Sequence, residues 1–184
     1  MKREKPIIRY GVLPSRFGCI VAAASAKGVC ALKLPTQEQL SCALAELRRH
    51  FPHADLVEDH LALQPILNHA LAILEGRHSD VRLIFDVKGT PFQKTVWRYL
   101  QTIPPGTTRS YREVARAIGR PRAVRAVAQA CARNPIALFV PCHRVIRSDG
   151  KLGGYRWGLA QKERLLDAER NHPTARSNDR PTNP

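Results

Sequence analysis

Residues 110–134 read SYREVARAIGRPRAVRAVAQACARN, and their order predicts two short helices joined by a tight turn. Ser110 is suited to N-cap a helix over residues 111–118, because its hydroxyl can accept from an orphan N–H of the first turn. Gly119 ends that helix, since glycine takes the left-handed conformation past a helix end without steric penalty. Pro121 fits the first turn of a second helix over residues 122–134, where its missing N–H costs nothing. Pro135 stops that helix by disfavouring helical geometry at Asn134. Helix, glycine-containing turn and helix, with Ala115 four residues before the glycine, is a helix-turn-helix pattern, although other helical hairpins share it.

The second helix is unusual in its surface. Val124, Val127 and Cys131 can face inward, whereas Arg122 and Arg125 lie three residues apart near its start, among Ala123, Ala126, Ala128 and Ala130. It carries no acid, while a merely solvated helix mixes both signs, and its small side chains let the backbone lie close to a target. The charge of the whole chain, +15, is concentrated around it. Residues 1–87 hold 11 Lys and Arg against 9 Asp and Glu, whereas residues 88–170 hold 17 against 5. Such a segmental excess is the footprint of a nucleic-acid partner or an anionic surface.

Several classes are excluded or disfavoured. No apolar stretch approaches the length of a membrane span, and the basic start at residues 1–10 has no apolar run behind it, so no membrane partner or leader is expected. Five cysteines, at positions 19, 30, 42, 131 and 142, form an odd, widely spaced set that suits a reducing, cytoplasmic compartment better than a disulfide framework. There is no CxxC, and His50, His53, His60, His69 and His78 are scattered, so no metal is expected.

Towards the N-terminus the chain reads as a small α/β unit. Apolar runs at residues 7–10, 19–24 and 29–34, separated by Pro14, Gly18 and Gly28, predict strands. Thr36 is expected to cap a helix over residues 37–50, and Pro65 to open another over 66–75. Alternation of Val81, Leu83, Phe85 and Val87 with polar neighbours predicts a half-buried strand over residues 81–87. Residues 88–91 (KGTP) break the pattern before a helix from Phe92 with Val96, Trp97 and Leu100 inward, so a domain boundary is expected there. The expected division is an N-terminal α/β domain at 1–87, a mostly helical domain at 88–170 and a polar, proline-bearing disordered tail at 171–184.

Beyond the helix pair stands PCHRV, residues 141–145, inside an apolar run. A buried lone cysteine is usually inert, but Cys142 is followed by His143 and Arg144, and a neighbouring imidazole or guanidinium raises the thiolate fraction. After a turn at Ser148, Asp149 and Gly150, glycines at 153, 154 and 158 bracket Tyr155, Arg156 and Trp157, which either wall a flat pocket or simply pack. In a last helix over residues 159–170, Leu159, Leu165 and Leu166 form the apolar face. Glu169 falls on that face with Lys162, so its carboxylate needs a partner, and the imidazole of His143 is one. A non-catalytic DNA-binding regulator explains the basic helix but leaves Cys142, His143 and Glu169 idle. A cysteine hydrolase explains those three but not the helix.

Taken in order, FQKTVW (92–97), SYREVA (110–115), GRPRAVRAVAQACARNP (119–135), PCHRV (141–145), GYRWG (154–158) and KERLLDAE (162–169) closely resemble the O6-alkylguanine-DNA alkyltransferase family, over about residues 6–170. The likeness is greatest to its bacterial, Ada-like branch, which also carries Tyr-Arg-Trp-Gly. The resemblance implies a ribonuclease-H-like N-terminal domain, with a small antiparallel sheet and helices, and a C-terminal domain with a winged-helix-like helix-turn-helix. It implies single-turnover transfer of a methyl group from O6-methylguanine, and from O4-methylthymine, in double-stranded DNA bound through the minor groove by a monomer without cofactor. Cys142 would accept the alkyl group, His143 would take its proton through a water, and Glu169 would hold His143. Asn134 would be the hinge, Arg125 would fill the gap left by the flipped base, and Tyr111 would crowd the 3′ phosphate and donate toward guanine N3. Arg112, Arg120, Arg122 and Ser148 would be further DNA contacts. Val145, Tyr155, Arg156 and Trp157 would line the base pocket.

Three departures qualify the resemblance. Only Cys30 overlaps the zinc-ligand positions of animal members. Arg156 and Trp157 replace small residues of members that accept bulky adducts, so a narrower, methyl-favouring pocket is expected. The upstream zinc and transcription-factor domains of the Ada type have no counterpart in the sequence, so phosphotriester repair and gene activation are not expected.

Overall fold

The structure, a computed structural model, describes residues 5–77 and 81–171. The expected tail lies outside these residues, except that Asn171 closes the last helix. The chain begins with three strands, β1 (Ile7–Ser15), β2 (Gly18–Ser25) and β3 (Gly28–Lys33), joined antiparallel. β2 is the most apolar of them, and Cys19 through Ala23 are all buried, as in a strand covered on both faces. Helix α1 (Leu40–His50) then carries the chain to the far edge, where β4 (Asp55–Glu58) joins β1 in parallel, giving the order β3-β2-β1-β4. The sheet is therefore mixed, not antiparallel as expected. β4 escapes a sequence reading because it is four residues long, polar and mostly exposed.

The helices of this half begin elsewhere than the sequence suggested. α1 starts at Leu40, because residues 36–39 form a turn in which Gln39 N–H donates to the Thr36 carbonyl at 3.1 Å and Gln39 Oε1 accepts from Thr36 N–H. α2 (His60–Leu74) starts before Pro65, since Asp59 Oδ1 caps it by accepting from Ala62 N–H at 2.9 Å. α2 buries Leu63, Leu67, Ala70 and Leu74 against the sheet. It lies so close that a Cβ on Gly11 would meet Leu67 at 3.1 Å and Leu63 at 3.2 Å. Residues 81–87 are extended but form no strand: Phe85 makes a single parallel bridge to Val29, and Ile84 stays 75% exposed. One bridge pairs too little backbone to continue the sheet.

The second half is helical. α3 (Pro91–Leu100) opens with a capping box between Thr90 and Gln93. β5 (Arg109–Ser110), α4 (Tyr111–Ala117) and α5 (Val124–Ala132) follow, then a 3-10 turn at Cys142–Arg144, β6 (Val145–Ile146), which pairs in parallel with β5, and α6 (Leu159–Asn171). One apolar cluster runs through both halves, from Ile20, Leu32 and Leu67 to Trp97, Val127, Ile136 and Leu165. β3 also grips the other half through its backbone. Leu32 N–H donates to the Pro135 carbonyl and Ala137 N–H donates to the Leu32 carbonyl, each at 2.9 Å.

Candidate active site

The helix pair forms as the sequence suggested, with one correction. Ser110 and Glu113 make a reciprocal capping box at the start of α4, Gly119 ends its turn with φ +71°, and Val114 and Ala115 are buried. α5 begins only at Val124, because Ala123 N–H closes a turn onto the Arg120 carbonyl at 2.8 Å. Pro121 and Arg122 therefore precede the helix, and Arg125 is on it. Arg112, Arg120, Arg122, Arg125 and Ser148 are all exposed, whereas Val127, Ala130 and Cys131 face the core.

From the end of α5 the chain turns inward. Asn134 is buried, its Nδ2 donates to the Val140 carbonyl at 2.7 Å and toward Cys142 Sγ at 3.2 Å, and its Oδ1 accepts from Ile136 N–H at 3.1 Å. One amide side chain thus links the helix end to the thiol. Between them Leu138 has φ +67°, the one non-glycine with positive φ among the described residues. That left-handed kink is held by Val140 N–H on the Ile136 carbonyl and Cys142 N–H on the Val140 carbonyl.

Cys142 is 8% exposed and His143 is 1% exposed. Burial pushes the Cys142 thiol up, against the opposing pull of the Asn134 hydrogen bond and the Lys162 charge. The adjacent imidazole therefore does not keep the thiol ionised at rest, contrary to the simplest expectation from PCHRV. Burial likewise holds His143 below its ordinary value, although Glu169 opposes this, so the ring is neutral at neutral pH. Its Nε2 lies 2.8 Å from Glu169 Oε1, while its buried Nδ1 has no partner among the described residues. With Nε2–H donating to the carboxylate, the tautomer set by these partners leaves the Nδ1 lone pair as the base.

Burial alone would raise Glu169, but the hydrogen bonds and charges of His143 and Arg144 outweigh it and bring the carboxyl to about 2. Arg144 Nε and Nη2 donate to this carboxylate at 2.8 to 3.1 Å, and its Nη1 donates to the Ile103 carbonyl. Sequence reasoning gave Arg144 only a charge near the thiol. In the fold it is the clamp that anchors the far end of the relay. Lys162 faces inward as expected from its helical position, while Leu159, placed on the same face, is 53% exposed. The Lys162 ammonium is fully buried, donates to the Val145 and Leu152 carbonyls, and lies 5.9 Å above the Tyr111 ring.

The two tyrosines converge on the thiol. Burial, and then the proximity of Cys131 and Cys142, push Tyr111 up to about 12, so its hydroxyl keeps its proton. The Tyr155 hydroxyl is buried without a partner among the described residues, and burial, then the Cys142 and Glu169 charges, hold its pKa well above the ordinary value. Val145 is fully buried beneath them. Arg156 and Trp157 are turned differently. Arg156 Nη2 pairs with Glu46 Oε1 on α1, and Trp157 lies between the Arg156 and Lys33 cations. A cavity of about 500 Å³ has Glu169 and Arg144 in its wall, and Cys142 is not among its lining residues.

A thiol that is protonated at rest and a neutral imidazole held by a clamped carboxylate stand in the same half of the chain as a basic helix-turn-helix. Residues 91–171 match the family described as "6-O-methylguanine DNA methyltransferase, DNA binding domain". The chain is 43% identical over 166 residues to the bifunctional transcriptional activator/DNA repair enzyme Ada of Escherichia coli, covering 90% of this chain and 46% of that protein. It is 41% identical over 163 residues to the methylated-DNA–protein-cysteine methyltransferase of Methanosarcina barkeri, covering 89% of this chain and 98% of that one. The solved structure of Mycobacterium tuberculosis OGT in complex with DNA aligns with TM-score 0.75 at 37% identity, over 89% of this chain and 94% of that chain. The chain belongs to the methylated-DNA–protein-cysteine methyltransferase family. It spans less than half the length of the Ada proteins of Escherichia coli and Salmonella typhimurium that it matches.

Proposed function

We propose that this chain repairs DNA directly, moving a methyl group from O6 of guanine, or from O4 of thymine, onto its own Cys142. The observation that carries this reading is the His143 ring, fixed at Nε2 by Glu169 at 2.8 Å while its buried Nδ1 has no partner among the described residues. Such a ring can accept one proton from the Cys142 thiol through a water. The thiolate then forms the S–CH3 bond as the CH3–O6 bond breaks, the electron pair stays on the guanine, and the Tyr111 hydroxyl donates toward N3. Nothing in the site is suited to cleave the resulting thioether, so each molecule acts once. A base inside a duplex is out of reach of a buried thiol, which calls for flipping the nucleotide at a cost of roughly a few kcal/mol.

In this proposal Arg125 enters the space the base leaves, and Arg112, Arg120, Arg122 and Ser148 contact the backbone of duplex DNA along its minor groove. Their common exposure supports this. Val145 and Tyr155 line the base pocket, with Arg156 and Trp157 acting at its rim. The division into domains at 1–87 and 88–170 follows the change in composition and charge. Three antiparallel strands with a parallel fourth support a ribonuclease-H-like first domain, and the β5–β6 pair beside α4 and α5 supports a winged-helix-like second. We take the working form as an intracellular monomer. Among the described residues no helix is long and apolar enough to cross a membrane.

The test is to mix the protein with a duplex containing O6-methylguanine and weigh the intact chain. One added methyl per molecule, lost in Cys142→Ala and kept in Cys131→Ala, is the expected result. An unmodified protein with the lesion still in the DNA overturns the proposal and favours a regulator that only binds.

A further inference from the structure

The loop that carries Tyr155 is bounded at both ends by glycines of positive φ. Gly153 has φ +68° and Gly158 has φ +93°. At its start the loop rests on Tyr111, since a Cβ on Gly153 would meet that ring at 3.0 Å. At its middle it is tied to the N-terminal half by the ion pair between Arg156 and Glu46. Glu46 has a second partner: Lys33 Nζ donates to its other oxygen at 2.7 Å. Lys33 and Arg156 in turn flank the Trp157 ring at 5.9 and 5.8 Å.

The cluster is built at a cost. Lys33 is only 8% exposed, and burial, with the Arg156 and Arg49 charges, lowers it to about 8. A lysine held down in this way at the end of β3 is less favourable than the apolar side chain a core position would take. A small cavity lined by Lys33, Glu46, Arg156 and Trp157 also has in its wall Asn134 and Pro135, from the segment that leads from α5 to Cys142. Glu46 therefore pairs with the pocket loop and lines one cavity with the hinge segment.

We infer that Glu46 is a positioning residue that sets the size of adduct accepted: by holding Arg156 it keeps the residue 153–158 loop, and with it Tyr155, closed over the thiol. The inference rests on the alkyl-transfer proposal and deepens it. A pocket held closed fits a methyl group, and a loop freed at its middle can swing on its two glycines to admit a larger group.

Single-turnover rates are to be measured with O6-methylguanine and O6-benzylguanine in one duplex sequence, for the parent protein, Glu46→Ala, Glu46→Gln, Arg156→Ala and the Glu46→Ala/Arg156→Ala double variant. Each alanine variant is expected to lower the methyl-to-benzyl rate ratio by about tenfold, the scale on which pocket shape discriminates. The double variant should lower it no further, and Glu46→Gln, which keeps an oxygen for Arg156, should recover part of it. Acrylamide should quench more of the tryptophan fluorescence in Glu46→Ala. Rates that fall in parallel with the ratio unchanged, or additive effects in the double variant, overturn the inference. If Glu46→Ala does not fold, Glu46→Gln and Arg156→Ala carry the same comparison. Failure of the parent protein to take up any methyl group overturns the alkyl-transfer proposal instead.

Discussion

At the scale of single residues, the site separates holding from reacting. Asn134 spends its amide on the Val140 carbonyl, the Ile136 N–H and the Cys142 sulfur, and Arg144 spends its guanidinium on Glu169 and Ile103. The Cys142 thiol keeps a proton to give, and among the described residues His143 Nδ1 and the Tyr155 hydroxyl are left without a partner. This fixes the sign of the pH dependence. His143 must be neutral to take a proton, and burial holds its value below 6.5, so the reactive form persists as pH falls through 6.5 and is lost only at lower pH. The acid limb of the transfer rate, measured under single-turnover conditions, should therefore lie below pH 6.5, and a limb at or above that value contradicts a buried neutral base. Glu169→Gln keeps the ring's neighbour but not its charge, and should slow transfer on the order of 10². Cys142, His143 and Glu169 were legible in the sequence because two are adjacent and the third lies at helical spacing from the buried Leu165 and Leu166. Arg144 as a clamp was not, since its Ile103 partner lies 41 residues away.

At the scale of elements, local chemistry decided what could be foreseen. Ser110 and Gly119 each state a helix end locally, and these ends appear where expected, whereas the capping box of Thr90 and Gln93 starts α3 at Pro91, one residue before the expected Phe92. α2 was misplaced because Pro65 suggested a start that Asp59 had already made. Residues 81–87 alternate like a strand, but a strand also needs a free edge, and β3 pairs with this segment at one point only. Arg156 was expected in the pocket on the strength of its neighbours in sequence, whereas its partner, Glu46, comes from α1 in the other half. The loop between β6 and α6 gives a prediction at this scale. An alanine at Gly153 faces both a left-handed φ, costing roughly 1–2 kcal/mol, and the Tyr111 ring at 3.0 Å. Gly153→Ala should slow transfer about tenfold with the far-ultraviolet circular dichroism unchanged, since relief is available only by moving Tyr111 or the loop.

At the scale of the whole molecule, charge and core divide the labour. The excess of 17 basic over 5 acidic residues in 88–170 lies where the exposed arginines of α4, α5 and their turn are. Binding to duplex DNA should therefore weaken steeply with salt, and Arg122→Ala should reduce the slope of log affinity against log salt by about one. An unchanged slope would remove Arg122 from the phosphate contacts. The apolar cluster, by contrast, ignores the composition boundary, and the Leu32 backbone is hydrogen-bonded to both Pro135 and Ala137. Composition revealed two halves, but it could not reveal that the first half supports the segment on which the reactive thiol is carried. Lys162 shows what that arrangement demands. Its ammonium sits in the interior with carbonyl oxygens for company and no acid paired to it among the described residues, and burial lowers its pKa. A proton on that amine brings a positive charge with no acid paired to it among the described residues, and the Cys142 thiolate is the anion that would offset it. Durability and readiness are then opposed at one side chain: Lys162→Met should melt no lower than the parent yet transfer methyl at least about tenfold more slowly, a pairing that calorimetry and single-turnover rates can check together.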